Sequence, residues 1–110
     1  MPKKNSSKEV IEKYLEKIKE EKNVSEGTLK TYNNIAKSIP FNILTSQKTI
    51  IKKLKESFEN PNTQQLNLNL IILVRRNEEQ ENDQLIKLRN KLRDEIQNNF
   101  ILFLNSLFIL

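Results

Sequence analysis

A chain of 110 residues, 36% hydrophobic and only 6% aromatic, has room for one domain with an aliphatic core. It contains no cysteine and no histidine, which excludes disulfides and thiolate metal sites and removes the commonest general base and metal ligand. A formal net charge of +5 suits a nucleic-acid partner, although the abundance of Lys, Asn and Ile, all with A/T-rich codons, assigns part of that charge to coding bias.

Residues 1–6, with Pro2, Lys3 and Lys4, read as a flexible basic terminus. They lack the apolar stretch of a signal peptide, so an intracellular protein, cytoplasmic or nucleoid/nuclear, is expected. Ser6 and Glu9 have capping-box spacing. Val10, Ile11, Tyr14, Leu15 and Ile18 then recur on one helical face, predicting a first helix over about 7–22. Ser25 opens a second helix whose inner stripe is Leu29, Tyr32, Ile35 and Ala36. Pro40 ends it, because proline disfavours the helical conformation in the residue before it.

Phe41, Ile43 and Leu44 fall in a short connector. Thr45 or Ser46 is expected to cap a third helix over about 46–58, with Ile50, Ile51, Leu54 and Phe58 inward and Lys52, Lys53 and Lys55 outward. Asn60-Pro61-Asn62 is a breaker, and Thr63 is the expected cap of a fourth helix. The segment Leu66–Val74 alternates at first and is then continuously apolar. A lone strand has nothing to pair with, so the segment reads as a central buried helix. Glu78, Glu79, Glu81 and Asp83 form an acidic loop leading to a fifth helix marked by Leu85, Leu88, Leu92 and Ile96. The run Phe100–Leu110 is apolar except for Asn105 and Ser106 and too short to span a bilayer. The expected fold is all-α, a compact bundle of four to five short helices over 7–99 with an apolar tail over 100–110.

No enzymatic constellation emerges, and no catalytic residue, cofactor or metal site is expected. The acidic residues alternate with lysines on helix exteriors, and the Glu78–Asp83 cluster lacks the ligand spacing and glycine of a calcium loop. The single glycine, Gly27, cannot build a phosphate-cradling loop. The cationic candidates are Lys30, Arg75, Arg76, Arg89 and Arg93, since arginine's planar fork suits phosphates and guanine edges. For Arg75 and Arg76 the alternative is a simple preference for a helix C-terminus.

The run Gly27-Thr28-Leu29-Lys30-Thr31-Tyr32, followed by Asn60-Pro61-Asn62-Thr63 and then Leu66, Leu70 and Ile71, resembles the N-terminal, SAM-like core-binding domain of phage-integrase-type tyrosine recombinases. The resemblance covers roughly residues 8–97. It implies a helical clamp on double-stranded DNA in recombination or integration, of viral or mobile-element type. Contacts would come from Thr28, Lys30 and Thr31 on the second helix and from Thr63, Gln64, Gln65 and Asn67 on the fourth. The family's catalytic domain has no counterpart here, so the implied role is DNA binding without cleavage. The alternative is a helical interaction module, a homo-oligomer or a protein-partner binder, using Phe100–Leu110.

Overall fold

The computed structural model describes residues 6–21 and 24–109, and these form five helices and no strand. The helices are α1 (Ser6–Glu21), α2 (Glu26–Ser38), α3 (Gln47–Ser57), α4 (Pro61–Asn77) and α5 (Asp83–Ile109). The basic start expected over 1–6 falls, up to residue 5, outside the described residues.

Local chemistry sets most of the boundaries. The Ser25 hydroxyl accepts the Thr28 N–H at 3.2 Å, and Ser46 does the same for Thr49 at 3.2 Å, so each satisfies a donor that the helix start leaves free. Ile39, ahead of Pro40, closes α2. α4 starts earlier than its expected cap at Thr63. Asn60 caps it, its Oδ1 accepting the Asn62 N–H at 2.8 Å, and Pro61 occupies the first turn, where a missing N–H costs nothing. At its far end α4 turns through Glu79, whose φ is 58°. The Gln80 N–H bonds the Arg75 carbonyl at 2.8 Å and the Glu79 N–H bonds that of Arg76 at 3.1 Å. This is the Schellman pattern, with a glutamate where glycine is usual.

α4 is the centre of the bundle. Leu68, Leu70, Ile71, Ile72 and Val74 are buried, so the segment with ambiguous periodicity is indeed a helix hidden on almost every side. α1 and α2 pack as a hairpin against α4, while α5 runs back along α4 and carries α3 on its flank. Ile11, Leu15 and Ile18 come from α1, Ile50 and Leu54 from α3, and Leu85 and Leu92 from α5. Tyr14 and Tyr32 pack at the core edge. Burial, the neighbouring Tyr32 and the Glu21 charge raise the Tyr14 pKa above its ordinary value, opposed by Arg76.

The connector between α2 and α3 is part of the core. Ile43 is fully buried. The Ser7 hydroxyl donates to the Phe41 carbonyl at 2.9 Å and accepts the Ile43 N–H at 2.8 Å, tying the start of α1 to the connector.

α5 has 27 residues against 17 in α4, so at 1.5 Å per residue it is about 15 Å longer. Pro61 and Gln64, at the start of α4, share a groove with Leu88, Leu92 and Glu95. Beyond that level α5 continues without a neighbouring helix. The stretch read as a tail is helical through Ile109, with Phe100, Ile101, Leu102, Phe103 and Leu107 exposed. The bundle with this projection measures 58 × 32 × 22 Å. Among the described residues no helix is long and apolar enough to cross a membrane.

Candidate nucleic-acid interface

The structure disperses the residues expected to contact DNA. Arg75 is only 3% exposed, and every branch of its guanidinium is engaged inside the protein. Its Nε donates to Asn82 Oδ1 at 2.8 Å. One terminal nitrogen donates to the Ile43 and Thr45 carbonyls at 2.9 and 2.8 Å, and the other to the Glu81 carbonyl at 2.7 Å. Burial lowers its pKa from the usual arginine value. Arg75 therefore binds the α2–α3 connector to the α4–α5 turn, and its expected role on DNA is corrected to a structural one.

Gln64 and Asn67 are corrected in the same way. Both are buried; Gln64 Nε2 donates to the Phe58 carbonyl at 2.7 Å and Asn67 Nδ2 to the Thr63 carbonyl at 2.8 Å. Asn67 Oδ1 is buried without a partner. Arg89 is half-buried, and its Nε is likewise shut away from water.

The remaining candidates are scattered over α2, both ends of α4 and α5. Thr28, Lys30 and Thr31 lie near the start of α2, and Lys30 lines the groove between α1 and α2. That groove mixes Lys19, Lys30 and Lys37 with Glu12, Glu16 and Glu26, so its charges offset each other. Thr28 Oγ1 accepts from Ser25 Oγ at 3.1 Å, and Thr31 Oγ1 donates to the Gly27 carbonyl at 3.0 Å, both local helix-start bonds. Thr63 and Gln65 are half-buried near the start of α4, at the α3–α5 end of the molecule. Arg76 and Arg93 are exposed on separate helices.

A different cationic surface emerges between α3 and α5. Gln47, at the start of α3, donates from Nε2 to Asp83 Oδ1 at 2.8 Å, and its Oε1 accepts the N–H groups of Gln84 and Leu85 at 2.7 and 3.1 Å. The side chain thus caps α5, and its hydrogen bond holds the Asp83 carboxyl below its usual pKa. At the other end Lys55 of α3 and Lys91 of α5 line one groove. The two helices therefore run parallel. Exposed Lys48, Lys52 and Lys55 follow the i, i+4, i+7 spacing of one helix face, and Lys87 and Lys91 the i, i+4 spacing of the other. Lys48 lines a pocket with Gln84, Glu79 and Glu81, and Lys55 lines a separate one with Lys91, Glu59 and Glu95, so acidic residues flank the lysines at both ends. The outward lysines of α3 and α5 are each visible in the sequence, but their adjacency depends on the pairing of helices distant in the chain.

Fold and surface together describe a small helical domain with one lysine-rich flank. Compared with known protein families, curated proteins and solved structures, the chain matches none of them.

Proposed function

We propose that the protein is a non-catalytic DNA-binding domain that grips the phosphate backbone with the parallel α3–α5 flank. The observation that supports this reading is that the exposed lysines Lys48, Lys52 and Lys55 repeat along α3 and Lys87 and Lys91 along α5, two helices packed side by side. Lysine ammonium groups recognise phosphates as point charges and carry no base code, so this surface favours affinity without strong sequence preference. The resemblance to integrase core-binding domains agrees in helical architecture and in DNA as ligand. The surface differs from the one that resemblance implies, because Arg75, Gln64 and Asn67 are inside the bundle.

The test is fluorescence anisotropy with a labelled 30-base-pair duplex across a salt series. Five neutralised phosphates give a slope of log K against log salt of about −4.5. Lys52→Glu combined with Lys87→Glu is expected to weaken binding at least about tenfold and to flatten that slope, whereas Lys30→Glu changes it little. Equal losses from both variants would move the interface off this flank, and absence of binding at low salt would sink the DNA reading.

A further inference from the structure

α4 is covered on every side but one. Asn62, Leu66, Asn69, Leu73 and Arg76, spaced four, three, four and three residues apart, form its open stripe, with Leu66 51% exposed. α5 runs back beside that stripe. Two contacts set the level of the pair: Arg75 bonds Asn82, and Gln64 shares a groove with Leu88 and Leu92. Arg89 and Arg93 therefore stand level with the Asn62–Asn69 part of the stripe. α3 covers the side of α5 that carries Leu88 and Lys91. Arg89 and Arg93 lie at least about 100° round the helix from those two residues, on the same side of the α4–α5 pair as the stripe.

This face carries positive charge and no carboxylate. α4 contains no Asp or Glu over Pro61–Asn77, and Asp94 of α5 falls about 100° round the helix from Arg93. The lysine flank, by contrast, has Glu59, Glu79, Glu81 and Glu95 among its lysines. Arg89 and Arg93 are one turn apart, and neither has an acidic residue three or four positions away, so their like charges repel without a counter-charge on the helix. Arg89 Nε is buried without a partner. Half-buried Gln65 and Asn69 make no side-chain hydrogen bond among the described residues.

We propose that this α4–α5 face is a second nucleic-acid contact, so that the domain bridges two duplex segments. The inference rests on the DNA reading of the lysine flank. Arginine's planar fork takes two oxygens of one phosphate, and Asn and Gln amides donate to phosphates beside it, so the face fits a sugar–phosphate backbone. Lys87 and Lys91 lie about 120–160° round α5 from Arg89 and Arg93. A straight duplex seated on the lysines therefore leaves the arginines open to another.

In the experiment the full chain is mixed with a biotinylated duplex on beads and a fluorescent duplex in solution. Capture of the fluorescent duplex reports bridging and is expected for the wild-type chain; anisotropy with one duplex reports simple binding. Arg93→Glu should lower capture at least about fivefold and shift the one-duplex Kd less than about twofold, with unchanged circular dichroism. Arg89→Gln combined with Arg93→Gln should give the same split, and serves where charge reversal perturbs the fold. Lys52→Glu combined with Lys87→Glu should weaken both readouts. Absence of capture by the wild-type chain overturns the proposal, while one-duplex binding preserves the DNA reading. Capture that both arginine variants leave intact also overturns it and assigns bridging to self-association. One-duplex binding lost equally in the arginine and lysine variants merges the two faces into one and overturns it as well. No binding of one duplex at low salt sinks both readings.

Discussion

The connector over 39–46 contains no helix, yet Ile43 within it is as buried as any residue of the core and its backbone is held from two sides. The outer half of α5 is unbroken helix, yet its large apolar side chains face water. In the connector, Ser7 and Arg75 supply the hydrogen bonds that a helix would otherwise provide. In α5 the backbone bonds are made within the helix, and tertiary burial is what is missing. Regular structure satisfies the backbone but does not by itself anchor a segment, because most helical stability in proteins comes from packing an apolar face.

The comparison is broken most severely at Arg75. Arg75→Met leaves three carbonyls and the Asn82 amide oxygen without their donor, and should destabilise the fold by on the order of 3–5 kcal/mol in urea unfolding. Arg75→Lys should recover little of this, since an ammonium cannot reproduce the planar fork. Near-native stability of either variant would show that the connector is held by apolar contact alone. Ser7→Ala is next. It strands the buried Ile43 N–H and should cost about 1–3 kcal/mol by the same measurement. The smallest effect belongs to α5: deleting residues 98–110 should change the unfolding free energy by less than about 0.5 kcal/mol, measured at a dilution where any association is lost. Amide exchange sharpens the contrast, with Ile43 protected to nearly the global limit and residues 100–107 opening far more readily.

Five helices were legible because their signals are local: serines before α2 and α3, a proline after α2, and apolar stripes at helical spacing. The ambiguous Leu66–Val74 segment resolved as a helix because no partner strand was available. The start of α4 was misplaced because Thr63 is a good cap by type, while Asn60 followed by Pro61 is a better one by geometry. The turn at Glu79 gave no glycine signal. The candidate interface was far less legible. Arg75, Gln64 and Asn67 are polar by type, and only the path of the connector and the depth of α4 show that they point inward. The lysine flank and the two-sided hold on Ile43 join residues roughly thirty to forty positions apart, a separation over which helical periodicity carries no information.

No proline or glycine interrupts α5 between Asp83 and Ile109, so its two ends are torsionally locked. Whatever holds the Phe100–Leu107 stripe also fixes the compass bearing of Lys87 and Lys91. One residue inserted between Asp94 and Asn98 would swing those lysines by about 100° relative to the stripe while lengthening the helix by only about 1.5 Å. Seven inserted residues would lengthen it by about 10 Å yet return the bearing to within about 20°. α5 thus behaves as a drive shaft, in which angular phase matters more than length.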